Sequence, residues 1–314
     1  MKNVLIIGCS YLKLPATIGE YKITQIGLVK ETKSIFYKLL RFIALRTNIL
    51  NLKKFFLIDE ISNLVNEYDV VILFDSSTKE VLEMLVNSIE NSICTSEIIL
   101  KFYYWNSVNE SNLVSLSSKW QVYTYDKRMA VNFHQKYIGS FYNPVYINQI
   151  VTNKSDLFFV GINKGRFQFI RKLENRLRNA NMRPIFLYVS PIKSIFNKNY
   201  CKPIPYDSVI RYIYSTGAIL DITKAGQFGI TLRVLEGIFY DKKVVTTHKY
   251  IKNYCFYDPG KILIVDECID VDVIKEFLRK EFTPYSDDIK KMYDFKSWLG
   301  RILLDDVSFN DSVI

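Results

Sequence analysis

Short apolar runs alternate with helical segments along the chain. The run from Asn3 to Cys9 is continuous and ends in Gly-Cys, which is typical of a strand buried on both faces. Asp69 to Phe74 and Glu97 to Tyr104 predict further strands, and Thr78 to Ser88 between them has helical spacing. This alternation predicts an α/β fold with a doubly wound parallel sheet.

Polar residues interrupt the pattern between Tyr146 and Lys154, and we place an interdomain linker there. A second set of apolar strands and helices follows. Its predicted strands are Leu157–Gly161, Pro184–Val189, Ala218–Ile222, Val244–Thr247 and Lys261–Val265. We therefore expect a first domain over residues 1–150 and a second over residues 151–285, both of the same architecture.

The segment from Ile219 to His248 contains a candidate anion site. An apolar strand leads into a glycine-bearing loop, Thr223 to Ile230, after which Thr231 is suited to cap a helix. Backbone N–H groups at a helix N-terminus attract anions, and Arg233 in the first turn adds a guanidinium suited to phosphate. The segment predicts a nucleotide-diphosphate site, and an ordinary strand–helix–strand crossover is the alternative.

Two further cations follow the first strand of the second domain. Lys164 and Arg166 lie in the loop after Gly161. Because the loops at the carboxyl ends of parallel strands share one edge, we expect these cations and Arg233 to converge. Such a cluster suits a pyrophosphate, whereas a solvated turn is the alternative for Lys164 and Arg166.

Two polar side chains near Arg233 each allow two roles. Glu236 lies three residues after Arg233, on the same helical face. It can accept hydrogen bonds from a ribose diol, or it can pair with Arg233 as a structural bridge. Gln227 can contact a sugar hydroxyl, or it can be an ordinary surface residue. The sequence leaves both questions open.

The composition permits a sizeable core and implies an anionic partner. Hydrophobic residues make up 49% of the 314 residues, and the net charge is +10. Zinc-ligand spacing, RNA-binding signatures and helix-turn-helix patterns are lacking, which argues against nucleic acid. The basic stretch from Lys33 to Lys54 predicts either a surface helix packed on the sheet or contact with an anionic membrane face.

The cysteines and the hydropathy indicate the compartment. Five cysteines without C-x-x-C spacing predict reduced thiols, and two histidines are too few for a histidine-rich metal site. A signal peptide and an apolar run of about 18 residues are both lacking, so we expect no membrane span. With Lys33–Lys54, these features predict a cytoplasmic protein, peripheral on the inner face of the plasma membrane.

One part of the chain resembles a known family. Leu235 to Thr247 resembles the Leu-Glu-Ala-…-Gly-Lys-Pro-Val-Val-Ala-Thr segment of GT-B glycosyltransferases, and Phe228-Gly229 resembles their Gly-Phe-Gly loop. With five further segments, the pattern is similar to that of small bacterial glycosyltransferases that build capsule, O-antigen or lipopolysaccharide core. These segments are Phe158–Gly161, Lys164–Arg166, Asp221–Ile222, Gln227–Gly229 and Thr231–Arg233. The resemblance lies in the C-terminal half.

The resemblance implies a donor site in the second domain. In such a site Glu236 binds the nucleotide ribose, and Lys164, Arg166 and Arg233 hold the donor diphosphate. The full set of donor-binding candidates is Gly161, Lys164, Arg166, Gln227, Gly229, Thr231, Arg233, Glu236 and Thr247. The family generally needs no metal or other cofactor, because protein cations neutralise the leaving diphosphate and the nucleotide sugar is a substrate.

The resemblance also implies the architecture. GT-B enzymes have two Rossmann-like domains that face a cleft and a C-terminal helix that returns to the first domain. Here that helix falls within residues 286–314 and contains Trp298 and Leu299. Cys9 and Ser10, at the carboxyl end of the first strand, then lie on the acceptor side.

The stereochemical outcome stays open. Retaining members of the family often have a first glutamate where this chain has Phe228. An inverting mechanism needs a general base near the acceptor hydroxyl. Asp75 and Asp126, at the carboxyl ends of first-domain strands, are the candidate catalytic bases. Asp126 is also a natural helix N-cap, and Asp75 can be a cap or turn acid.

The sequence therefore predicts a metal-independent glycosyltransferase. It would move a sugar from a nucleotide-sugar donor to a growing, lipid-linked bacterial surface glycan, with no nucleic-acid partner. One alternative is a GT-B-like nucleotide-sugar epimerase, which would turn over free nucleotide sugar without an acceptor. The other is a non-catalytic basic module that binds a membrane or nucleic acid.

Overall fold

A computed structural model describes most of the chain. The described residues are 1–9, 12–28, 40, 61–95, 97–147, 154–162, 165–190, 193–223 and 227–312. Ser10, Lys164 and, apart from Leu40, the basic stretch Lys33–Lys54 lie outside them. The structure divides into two compact units, Met1–Ser140 with Trp298–Phe309 and Phe141–Ser297 with Asn310–Ile314.

In the described part of the first unit, seven strands form one sheet. They are β1 (Lys2–Ile7), β2 (Thr17–Ile18), β3 (Tyr21–Ile26), β4 (Val70–Phe74), β5 (Ile99–Tyr104), β6 (Trp120–Thr124) and β7 (Lys136–Tyr137). Their order is β2-β3-β1-β4-β5-β6-β7, and all neighbours are parallel except β2 and β3. After β1, the strands β2 and β3 lie on one side of it, and the later strands β4 to β7 lie on the other side. The strand order therefore reverses between β1 and β4.

Three helices in the described part of the chain fall within residues 1–140 of the first unit. They are α1 (Ile61–Leu64), α2 (Lys79–Ser92) and α3 (Lys127–Asn132), with single 3₁₀ turns at Val65–Glu67 and Glu110–Asn112. The buried residues of α2 recur at helical spacing and pack in the same core as the apolar side chains of β1, β4 and β5. They are Val81, Leu82, Leu85, Val86 and Ile89.

The second unit is built on a fully parallel sheet. Its strands are β8 (Ser155–Ile162), β9 (Pro184–Val189), β10 (Thr216–Asp221), β11 (Lys243–Thr246) and β12 (Ile262–Ile264). Their order is β12-β11-β10-β8-β9. The order reverses between β8 and β10, which is the point where doubly wound sheets bind ligands beyond the strand carboxyl ends.

Six helices accompany that sheet in the described residues, with a 3₁₀ segment at Lys249–Asn253. They are α4 (Phe167–Asn179), α5 (Lys193–Phe196), α6 (Tyr206–Tyr214), α7 (Leu232–Phe239), α8 (Val271–Arg279) and α9 (Asp287–Tyr293). The predicted fold class, an α/β chain with two parallel-sheet domains, is confirmed.

The last helix, α10 (Phe295–Leu304), carries the C-terminal part of the first unit. Trp298 is fully buried and packs edge-on against Tyr103, with 5.0 Å between ring centroids. Arg301 donates from Nε to the carbonyl oxygen of Ile138 at 3.1 Å. Within the described residues, no helix has the length and apolar character needed to span a bilayer.

Candidate functional site

The carboxyl edge of the second sheet carries a group of polar side chains at the reversal point. Asp221 ends β10 and is buried, with 3% of its surface exposed. Its Oδ1 accepts a hydrogen bond from Thr231 Oγ1 at 2.9 Å, and its Oδ2 accepts one from Thr246 Oγ1 at 2.8 Å. Asp221 therefore fixes the start of α7 against the ends of β10 and β11.

Thr231 is the N-cap of α7, as the sequence predicts. Its side-chain oxygen accepts from the backbone N–H of Val234 at 3.3 Å. Thr247 ties the neighbouring loop in place, since its Oγ1 accepts from the backbone N–H of Thr223 at 3.0 Å. The first turn of the helix is thus held at the sheet edge, where its remaining N–H groups favour an anion.

Arg233 and Glu236 form an ion pair on α7. The Glu236 side chain is fully buried, and 20% of the Arg233 side chain is exposed. Glu236 Oε1 also accepts from the hydroxyl of Tyr206 at 2.7 Å. Of the two roles that the sequence allows for Glu236, the structural bridge is present, and ribose binding stays a prediction.

A chain of tyrosine hydroxyls continues from Glu236. The Tyr206 hydroxyl lies 2.8 Å from that of Tyr142, which donates to the Tyr240 hydroxyl at 3.0 Å. Burial raises the pKa of Glu236, which Arg233 counteracts, and the Glu236 carboxylate raises the pKa of Arg233 although burial lowers it. Arg233 therefore remains a cation whose guanidinium is held in one orientation.

Arg166 stands at the other side of the reversal point, at the N-cap position of α4. It is partly buried, and its Nε has no hydrogen-bond partner among the described residues. Burial lowers the pKa of Arg166, and the carboxylate of Asp221 raises it. Gly165 before it has φ of +83°, a conformation that a side chain would strain. We name Arg166, Asp221, Thr231 and Arg233 the cationic edge.

The loop of Gln227, Phe228 and Gly229 is held in place by two side chains that follow β11. His248 Nε2 lies 3.1 Å and 3.2 Å from the carbonyl oxygens of Phe228 and Gly229, so this nitrogen carries the proton. The Tyr254 hydroxyl donates to the Phe228 carbonyl at 3.0 Å. Gln227 Nε2 donates to the carbonyl of Gly229 at 3.4 Å, within its own loop.

The corresponding edge of the first unit carries Gly8, Cys9 and Asp75, which we name the acidic edge. Gly8 has φ of +94°, and a Cβ there would collide with Ser76 Oγ. Cys9 is buried, which raises the pKa of its thiol. Asp75 accepts from the backbone N–H groups of Trp105 at 2.6 Å and Asn106 at 3.1 Å. Burial raises the pKa of Asp75 to about 8.

Asp126 is the N-cap of α3. Its Oδ1 accepts from the backbone N–H groups of Arg128 at 2.9 Å and Met129 at 3.4 Å. Its Oδ2 accepts from Ser107 Oγ at 2.5 Å. The helix-cap interpretation is confirmed, and a role of Asp126 or Asp75 as general base stays a prediction.

The structure brings together Arg166, Thr231, Arg233 and Glu236 on one edge, and Gly161 lies within β8, which ends there. The sequence did not indicate three supporting residues, Tyr206, Tyr142 and His248, and it included Asp221 only as part of the resembling pattern. Asp221 alone had a local signal, a carboxylate at the end of an apolar run. Among the described residues, no group of three or more His, Cys, Asp or Glu side chains could hold a metal.

Comparison with known proteins gives a fold relationship. No protein-family model and no curated protein matches the sequence. The chain is similar to a solved alpha-glucosyltransferase in complex with UDP and a 13-mer DNA containing a central A:G mismatch, with a TM-score of 0.60 at 12% identity, covering 98% of this chain and 100% of that chain. For an alpha-glucosyltransferase with UDP-glucose and DNA containing an abasic site, the TM-score is 0.58 at 12% identity over 98% and 100% of the two chains. The chain therefore has the two-domain α/β fold of these glycosyltransferases.

Proposed function

We propose that the chain is a glycosyltransferase that binds its nucleotide-sugar donor at the cationic edge. The observation that carries this proposal is the placement of Arg166, Arg233 and the capped N-terminus of α7 where the strand order of the second sheet reverses. The fold shared with glycosyltransferases whose structures contain UDP supports it, and UDP is the nucleotide that we expect here.

The chemistry of transfer explains why cations suit this position. The bond between the sugar and the diphosphate breaks, and negative charge develops on the leaving diphosphate oxygen. A guanidinium already fixed by Glu236 and the N–H groups of a helix N-terminus stabilise that charge without reorganising. The residues that we assign to the donor are Gly161, Lys164, Arg166, Gln227, Gly229, Thr231, Arg233, Glu236 and Thr247.

Ligand-dependent thermal unfolding of the full chain tests the donor site. At about 100 times its dissociation constant, UDP should add about 2.7 kcal/mol to the free energy of unfolding. Arg166→Ala should weaken UDP binding by roughly 10-fold or more, because a hydrogen bond to a charged group is lost.

Arg183→Ala is the matched control. Arg183 precedes β9, at the opposite end of the sheet, pairs with Asp156, and has 63% of its side chain exposed. The Arg183→Ala variant should bind UDP as the unchanged chain does. If no nucleotide shifts the unfolding transition, or if both arginine variants lose binding equally, the donor-site proposal is wrong.

For the acceptor we propose a lipid-linked surface glycan. The support is the resemblance of Leu235–Thr247 and its flanking segments to glycosyltransferases of surface-polysaccharide loci. In this role the acidic edge, which includes Cys9, would face the acceptor, and Ser10, the next residue in the sequence, is assigned to the same side. Asp75 would be the general base ahead of Asp126. Burial raises the pKa of Asp75 to about 8, which suits a carboxylate that accepts a proton near neutral pH.

DNA is the second candidate acceptor. The similar solved structures contain DNA, and the net charge of +10 suits a polyanion. These observations favour a nucleic-acid partner, whereas the lack of nucleic-acid-binding motifs in the sequence argued against one.

Transfer of label separates the acceptors. The chain is incubated with labelled UDP-glucose and either duplex DNA or bacterial membranes that contain lipid-linked glycans. Label in the lipid extract supports the glycan acceptor, and label in DNA supports the second candidate. Conversion of the free nucleotide sugar with no acceptor would instead indicate the epimerase alternative.

A further inference from the structure

The turn that follows β9 displays two adjacent apolar side chains to solvent. Phe196 is 85% exposed and Ile195 is 66% exposed. Phe196 is the most exposed of the large apolar side chains among the described residues. Since exposing a phenylalanine and an isoleucine together forgoes the free energy of burying them, a pair of this kind indicates a contact surface.

The charged side chains in the same segment of the sequence are all positive. Lys193, Lys198 and Lys202 are exposed, and residues 193–206 contain no aspartate or glutamate. We name residues 193–202 the lysine tip. The lysine tip therefore combines two apolar side chains with three cations, and no acidic residue of the segment balances their charge.

The base of the lysine tip is held in place. The backbone N–H of Cys201 donates to the Tyr188 carbonyl at 2.8 Å, and that of Ser190 donates to the Cys201 carbonyl at 3.0 Å. Tyr200 stacks on Phe167 of α4, with ring centroids 5.3 Å apart. The exposed pair is thus presented on a turn whose ends are fixed to β9 and α4.

We propose that the lysine tip docks on an anionic membrane surface. Phe196 and Ile195 would enter the boundary between headgroups and acyl chains, as the apolar anchors of interfacial segments do. Lys193, Lys198 and Lys202 would remain at the headgroup level, where anionic lipids attract them and their aliphatic stems tolerate the interface.

A bilayer fits this surface better than nucleic acid does. Isoleucine has no aromatic face on which a base can stack, and single-stranded nucleic acids bind largely by such stacking. All three cations are lysines, which attract anions as compact point charges and do not form the bidentate phosphate contacts of arginine.

The position of the lysine tip connects it to the donor site. It follows the carboxyl end of β9, which pairs with β8, so it belongs to the same sheet edge as Arg166. A membrane held there would bring a lipid-linked acceptor to the donor side of the second unit. This connection depends on the proposed function, but membrane binding itself does not.

Sedimentation of the full chain with vesicles tests the proposal. We expect binding to vesicles of phosphatidylglycerol mixed with phosphatidylcholine and little binding to phosphatidylcholine alone. The double variant Ile195→Ser, Phe196→Ser should bind about tenfold more weakly, because two apolar anchors are lost. Replacing Lys193, Lys198 and Lys202 by glutamine should weaken binding by about fivefold for each lysine.

Two variants elsewhere are matched controls. Val131 is 75% exposed on α3 of the first unit, and Lys172 is exposed on α4. Val131→Ser and Lys172→Gln should leave vesicle binding unchanged. All variants should retain the thermal transition of the unchanged chain, since the substituted side chains are on the surface.

Three outcomes would overturn the proposal. The first is failure of the unchanged chain to sediment with anionic vesicles although it binds UDP. Vesicle binding that survives both sets of tip substitutions would assign the membrane contact to another part of the chain. If the tip variants no longer bind an oligonucleotide in gel shifts but still sediment with the vesicles, the tip would be assigned to nucleic acid. If the unchanged chain does not bind UDP, that result would instead count against the proposed function.

Discussion

The cationic edge and the acidic edge occupy equivalent places in two sheets of similar topology. In both units the strand order reverses, between β8 and β10 in one and between β1 and β4 in the other. The cationic edge has two arginines and a capped helix N-terminus. The acidic edge has a glycine at φ of +94°, a buried thiol and a buried carboxyl group.

This difference separates the contribution of topology from that of side chains. The reversal of strand order determines where a ligand can enter a doubly wound sheet. The charges at that place determine which ligand is attracted, because two arginines and a helix N-terminus outweigh the single carboxylate of Asp221 and favour an anionic diphosphate, whereas the acidic edge offers no cation. The comparison supports a donor at the second unit and an uncharged acceptor group at the first.

The largest expected effect concerns the ion pair of the cationic edge. Glu236→Ala should lower the free energy of unfolding by about 3 kcal/mol or more, because Arg233 and the Tyr206 hydroxyl lose a buried partner. Urea unfolding measures this. Asp156→Ala removes the carboxylate from an exposed pair with Arg183 and should cost about 1 kcal/mol or less. Equal losses would mean that burial does not distinguish the two pairs.

The next effect compares two carboxylates at strand ends in the two units. Asp221→Ala should cost about 2 kcal/mol, because the buried Thr246 hydroxyl and that of Thr231 lose their acceptor. Asp126→Ala removes a helix N-cap and should cost about 1 kcal/mol. Calorimetric titration with UDP should show weaker binding only for Asp221→Ala. Weaker binding in both variants would contradict the assignment of the donor to the cationic edge.

The acidic edge should make stability depend on pH. The pKa of Asp75 is raised from 3.8 to about 8, so the folded chain holds this proton more tightly than the unfolded chain does. The stability that this proton contributes is fully present below the unfolded pKa. It is lost as the pH rises from 3.8 to about 8, at no more than about 1.4 kcal/mol per pH unit. Urea unfolding between about pH 5 and about pH 8 should therefore show a steeper decline for the unchanged chain than for Asp75→Asn. Parallel curves for the two chains would rule this out.

The smallest effect concerns the tyrosine chain behind Arg233. Tyr206→Phe removes one hydrogen bond to Glu236 and should cost about 1 kcal/mol of stability. Because Glu236 then orients Arg233 less firmly, UDP should bind about fivefold more weakly. Tyr240→Phe changes the same chain farther from Glu236 and should leave UDP affinity unchanged. Equal affinities for the two variants would show that the hydroxyl of Tyr206 does not position Arg233.

Local patterns in the sequence predicted much of the fold and the local parts of the site. Continuous apolar runs predicted the central strands, because a strand buried on both faces has no polar alternation. The caps at Thr231 and Asp126 were predictable because a cap acts on N–H groups two or three residues away. The pairing of Arg233 with Glu236 follows from helical spacing.

The long-range contacts were not predictable in this way. Tyr206 meets Glu236 from another helix, and His248 meets the loop at Phe228 from beyond β11. Asp75 accepts from Trp105 because β4 and β5 are neighbours in the sheet. Each contact depends on strand order and on the lengths of the connecting segments, which local periodicity does not encode.

The sequence by itself determined the α/β class, the positions of the strands, the helix caps and the presence of cations near a helix N-terminus. Only the tertiary structure decided that Glu236 is enclosed by Arg233 and Tyr206, that Asp221 anchors α7, and that Phe196 faces solvent. The physical reason is range. Propensity and capping act within a few residues, whereas burial and buried hydrogen bonds depend on which distant elements pack together.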